Sequence, residues 1–147
     1  MKFVLFDVFL WVFLVLGCEG VVDLNGDYEL FGSEHIEYVF QKPQSSSSQQ
    51  INGVIFLAHG CSHSATDWWP KSELCSKCIG LPIEISIVKE ALKRNYFVIS
   101  MSSTDRNHKC WNHHDMTPAI HLINRIYTTQ LNNNFTINGS RLDCITI

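Results

Sequence analysis

Charge of either sign is scarce in this 147-residue chain. Only 17% of its residues are Asp, Glu, Lys or Arg, and 11 basic against 14 acidic side chains leave a formal net charge of −3. Without a basic surplus there is no electrostatic attraction for a phosphate backbone, so nucleic acid is excluded as a partner. Nor is the apolar content low enough for a disordered tail: 46% of the residues are apolar, more than a segment that cannot build a core carries. The chain has no internal repeat. It also has no uninterrupted apolar run of the roughly 20 residues that a membrane-spanning helix needs.

The apolar residues are instead concentrated at the start, where they fill 15 of the first 20 positions. Lys2 precedes a stretch from Phe3 to Gly17 that is interrupted only by Asp7, and Cys18-Glu19-Gly20 offers small residues around a cleavage point after Gly20. This pattern predicts a secretory signal peptide over 1–20 and one domain over 21–147, with no stable membrane span once the leader is removed. An uncleaved anchor and, at Val15-Leu16-Gly17-Cys18, a lipoprotein acylation site are the rival readings. Asn134-Phe135-Thr136 and Asn138-Gly139-Ser140 are glycosylation acceptor sequons, which agree with a secreted protein in the extracellular space or an endomembrane lumen. Five cysteines follow the leader: Cys61, Cys75, Cys78, Cys110 and Cys144. An oxidising compartment would pair four of them and leave one odd thiol.

Further along, Tyr28 to Phe31 and His35 to Phe40 alternate around Gly32-Ser33, as in a β-hairpin. A low-complexity surface loop is expected over 41–52. Gly53 to Ala58 and Tyr96 to Met101 are continuous apolar runs, the mark of strands buried on both faces. Between them, Pro82 opens a helical stripe at Ile83, Ile87, Val88, Ala91 and Leu92. Thr117-Pro118 reads as an N-cap and first helical position. The helix it opens would bury Ala119, Leu122, Ile123, Ile126 and Tyr127. Leu142 to Ile147 reads as a third buried strand. Hairpin, strand, helix, strand, helix, strand is an α/β plan with right-handed crossovers.

A buried strand here delivers His59-Gly60 to its carboxyl end, where open α/β sheets hold their ligands. A glycine there lets the backbone approach a substrate, and the following amide can then face a developing oxyanion. The plain alternative is a strand-end glycine beside a buried histidine.

Phe56-Leu57-Ala58-His59-Gly60 resembles the oxyanion-hole strand of the α/β-hydrolase superfamily. The longer string His59-Gly60-Cys61-Ser62-His63-Ser64-Ala65 is similar to secreted esterases of the polyhydroxyalkanoate depolymerase and feruloyl esterase type. In those proteins a His-Gly-Cys opens the loop and a Cys-Trp-Asn follows the next strand; here Cys110-Trp111-Asn112 stands in that place. The resemblance covers residues 51 to 147. It implies the amino-terminal half of an α/β-hydrolase fold, a hairpin and then parallel strands with crossover helices. It also implies hydrolysis of a small ester without a cofactor or metal, with His59 shaping the oxyanion loop and the Cys61 amide, beside Gly60, donating to the oxyanion. The nucleophile elbow Gly-x-Ser-x-Gly, expected after Leu142 to Ile147, does not occur in the sequence. Gly60-Cys61-Ser62-His63-Ser64 comes nearest but has Ser where the tight turn needs Gly. The triad acid and histidine would follow later in family order, so none of the seven histidines is expected to be catalytic. The resemblance thus implies a hydrolase portion without its nucleophile and inactive as it stands.

Among the cysteines, Cys61 with Cys110 is a reasonable pair because both follow sheet strands at one edge of the site, and Cys75 with Cys78 is the other. A zinc site built from Cys75, Cys78, Cys110 and a loop histidine is the competing reading, with no second paired knuckle to support it. Trp68, Trp69 and Trp111 could wall a substrate or pack a long loop against the sheet. Asp105-Arg106 reads as an ion pair, and His113-His114-Asp115 as solvated. From another functional class, a small secreted binding module held by disulfides or zinc, without catalysis, is the alternative.

Overall fold

The computed structural model describes residues 21–44, 51–131 and the backbone of 143–145. The leader over 1–20 and the sequons at Asn134 and Asn138 lie outside these residues. Strands β1 (Asp27–Phe31) and β2 (Ile36–Gln41) form the hairpin, joined through Gly32 at φ +69° and His35 at φ +54°. Strand β3 (Gly53–Ala58) leads to helix α1 (Pro82–Lys93), then β4 (Tyr96–Met101), helix α2 (Met116–Ile126) and the short β5 (Asp143–Ile145).

The sheet order is β1-β2-β4-β3-β5. β2 pairs antiparallel with β1 and with β4, where Tyr38 faces Met101 and Gln41 faces Val98. β3 runs parallel to β4 and to β5. This corrects the expectation of an amino-terminal α/β-hydrolase half. Apart from the three-residue β5 at its edge, the body is a small mixed sheet of four strands, β1-β2-β4-β3, with two helices. Because β2 folds back and docks on β4 by antiparallel pairing, the order is hairpin-like and does not single out a hydrolase half.

The pleat divides the apolar residues between two cores. One face of the sheet carries Tyr38, Phe40, Phe56, Phe97, Ile99 and Met101, covered by Ala119, Leu122 and Ile126 of α2. The other carries Val39, Leu57 and Val98, covered by Val88, Ala91 and Leu92 of α1 and by the loop bearing Trp68, Trp69, Cys75 and Cys78. Burial on both faces explains why β3 and β4 are almost continuously apolar. The ends of the 41–52 segment belong to the fold, since Gln41 is buried in β2 and Ile51 is fully buried.

Two helix readings are corrected. α2 does not start at Thr117: a tight turn over His113–Asp115 precedes it, capped by Asn112, whose side chain accepts the His114 amide at 2.9 Å. Pro118 then falls within the first helical turn, where its missing N–H costs nothing. Tyr127 is exposed rather than buried, because the helix widens over Tyr127–Leu131 and brings Leu131 to the core instead. Among the described residues, no helix is long and apolar enough to cross a membrane.

Candidate functional site

β3 and β4 are adjacent and parallel, so the loops that follow them emerge at the same sheet edge. His59, the first residue after β3, is buried. Its Nε2 accepts the Ser103 amide at 2.9 Å, and its Nδ1 lies 2.7 Å from the Gly60 carbonyl. The first contact requires a lone pair on Nε2, so the proton sits on Nδ1 and is donated to Gly60. Burial pushes the His59 pKa below its ordinary value, which keeps the ring in this neutral form. The ring packs against Trp111, and Trp111 meets Phe56 edge-on.

Beyond His59 the chain closes a turn in which the His63 amide donates to the Gly60 carbonyl at 3.2 Å. Ser62 takes the third position at φ +69°, where turns of this kind favour glycine. Two features hold it there. Cys61 is disulfide-bonded to Cys110, 49 residues on, and the Ser62 amide is shared between the His108 and Lys109 carbonyls. Gly60 and Cys61 are exposed, and among the described residues neither amide has a hydrogen-bond partner. Two free N–H groups on a pinned, exposed turn can receive an anionic or strongly polarised oxygen.

The same turn carries a pair that sequence reading did not single out. His63 Nδ1 stands 2.7 Å from Asp67 Oδ2, with the histidine side chain 45% exposed and the carboxylate 7%. Ser64 fixes that carboxylate from below, its amide donating to Oδ2 at 3.3 Å and its hydroxyl to Oδ1 at 3.0 Å. Spacing offered two signals for this arrangement: His and Asp four apart, and the capping pattern Ser-x-x-Asp. The Ala65 amide donates to Ser102 Oγ at 3.0 Å, tying this loop to the end of β4.

Other residues sit elsewhere than sequence suggested. Trp68 and Trp69 are buried in the α1-side core, and Trp69 donates to Gln41 at 2.9 Å. Trp111 is half-buried behind His59; its indole nitrogen and that of Trp68 are buried without partners among the described residues. Cys75 and Cys78 form the second disulfide, so the thiols a zinc site would draw on are bonded in pairs. No group of three or more His, Cys, Asp or Glu side chains among the described residues is placed to hold a metal ion.

Asp105 and Arg106 do not pair with each other. Arg106 bonds Glu37 of β2 at 2.6 Å, and Asp105 takes the backbone amides of His108 and Asn107, which lower its pKa. His113 and His114 are exposed, but Asp115 is fully buried. Its Oδ1 accepts the amide and hydroxyl of Thr104 at 2.6 and 2.7 Å, and its Oδ2 the Asn112 amide at 2.7 Å. A cleft of about 710 Å³ lies beside the site, between the hairpin turn at Phe31 and Glu34, Thr104, and His114 and His121 near the start of α2. His59, Gly60 and Cys61 do not line it.

No protein-family model matches the chain, and no curated protein is detectably similar to it.

Proposed function

We propose that the chain binds the acyl oxygen of a small ester through the backbone amides of Gly60 and Cys61. The observation that carries this reading is the pair of unengaged amides on an exposed turn, pinned by the Cys61–Cys110 disulfide and braced by His59. Such donors act on charge that develops at a carbonyl oxygen, and removing one from a working site costs about 10²–10³ in rate. The order His59-Gly60-Cys61, then Cys110-Trp111-Asn112, as in secreted esterases of the polyhydroxyalkanoate depolymerase and feruloyl esterase type, supports the same substrate class. The two disulfides favour an oxidising compartment and thus secretion.

A serine acyl-enzyme is not part of this reading. The sequence has no Gly-x-Ser-x-Gly. Among the described residues no serine hydroxyl is hydrogen-bonded to a histidine ring, the contact that activates such a nucleophile. The two disulfides also favour a second reading, a disulfide-stabilised binding module without turnover. Titration of the protein with an alkyl phosphonate monoester, an anionic mimic of the tetrahedral intermediate, tests the site: the amide signals of Gly60 and Cys61 should shift before any others.

A further inference from the structure

We infer that His63, held by Asp67, is a general base that delivers water to an ester carbonyl bound at the Gly60 and Cys61 amides. This rests on the oxyanion reading of that turn and adds to it a proton acceptor. A neutral imidazole whose Nδ1 donates to a carboxylate presents its lone pair at Nε2, and the buried Asp67, 2.7 Å from His63 Nδ1, selects that tautomer. Ring orientation brings the free edge to the right place. His63 Cδ2, the carbon bonded to Nε2, lies 3.6 Å from where a Cβ on Gly60 would stand. That edge of the ring therefore packs over Gly60, in the same turn as the two amide donors, and the side chain is 45% exposed to solvent.

The chemistry balances without a further reactant. The oxygen of a water molecule forms a bond to the carbonyl carbon while one of its protons passes to His63 Nε2. The carbonyl π pair moves onto oxygen, where the Gly60 and Cys61 amides hold it. When the intermediate collapses, the carbon–alkoxide bond breaks and the leaving oxygen takes the proton from Nε2. Ester and water become carboxylic acid and alcohol. The other His–Asp pair, His108 with Asp105 at 3.1 Å, is not built this way: its ring is 83% exposed.

The test uses the whole chain with p-nitrophenyl butyrate. In His63→Asn the amide nitrogen stands where Nδ1 stood, keeping a donor to Asp67 without a base. His63→Ala leaves room for imidazole from solution. Both variants should hydrolyse the ester about 10²-fold more slowly, and imidazole should restore the rate of His63→Ala, whereas His113→Ala, at an exposed position outside the site, should keep the wild-type rate with or without imidazole. The alkyl phosphonate should still shift the Gly60 and Cys61 amides in both His63 variants. Wild-type turnover in His63→Asn, with phosphonate binding intact, would overturn the role of His63 and leave the oxyanion reading standing. Failure of the phosphonate to shift these amides in the wild-type chain would overturn the oxyanion reading and this inference with it.

Discussion

The Nε2 atom of His59 accepts the Ser103 amide at 2.9 Å, so one neutral imidazole clips the end of β3 to the end of β4. Protonation of Nε2 would remove that acceptor. Burial holds the folded pKa below the ordinary value of 6.5, so just below that pH the unfolded chain binds a proton that the folded chain does not. The contribution of His59 is therefore complete above the unfolded pKa and is lost as pH falls below it. Thermal midpoints measured from pH 7.5 to 5 should fall on acidification. In His59→Gln, which keeps a donor and an acceptor but does not titrate, the fall should be shallower; an unchanged slope would contradict the assignment.

Cys61–Cys110 closes 49 residues, whereas Cys75–Cys78 closes three. Chain-entropy reasoning gives the first about 4 kcal/mol and the second about 2 kcal/mol. The paired variant Cys61→Ser with Cys110→Ser should consequently lose more stability in urea than Cys75→Ser with Cys78→Ser. It should also lose phosphonate binding, because the Gly60–His63 turn is no longer pinned. Equal losses for the two pairs would argue against the wide loop as the origin.

Asp115 gathers Thr104 and Asn112 onto one buried carboxylate. Asp115→Ala leaves three donors without an acceptor, at about 1–3 kcal/mol for each that stays buried. Denaturant midpoints should drop by more for Asp115→Ala than for Asp115→Asn, which retains one acceptor oxygen. His113→Ala and His114→Ala, at exposed positions, should leave the unfolding free energy within about 0.5 kcal/mol of wild type.

Gly80 has φ +62°, and a Cβ there would stand 2.9 Å from both the Trp69 carbonyl and the Pro70 Cα. A Cβ on Gly26 would come 2.6 Å from a methyl of Val39 and 2.7 Å from the Trp69 ring. Gly26→Ala overpacks the fully buried Val39 and Trp69, and Gly80→Ala meets backbone at a left-handed φ, a cost of about 1–3 kcal/mol each. Gly32 has a positive φ but open space around it, so Gly32→Ala should cost only about 1 kcal/mol. Melting temperatures of the three variants check this order.

Segments that are buried on both faces were legible in the sequence. Gly53–Ala58 and Tyr96–Met101 begin and end where their apolar runs do, and Pro82 marks the start of α1. The start of α2 was not, because Thr117-Pro118 imitates a cap while Asn112 and Asp115 cap the preceding turn, and what buries Asp115 is its contact with Thr104 of a different loop. Strand order was not legible either: the alternation in β2 does not encode that its free edge pairs antiparallel with β4. At the site, His59, Gly60 and Cys61 stood out locally. The Cys61–Cys110 pair was legible too, because both cysteines follow neighbouring strands; the Ser103 amide on His59 comes from distant chain, and periodicity carries no record of it.

The direct test is a two-dimensional amide titration of the oxidised, full-length chain with an alkyl phosphonate monoester. A saturable shift that is largest at Gly60 and Cys61, and abolished by reduction of the Cys61–Cys110 disulfide, is the predicted result. Shifts confined to the cleft near His114 and His121, or none at the turn, would contradict an oxyanion-binding site there.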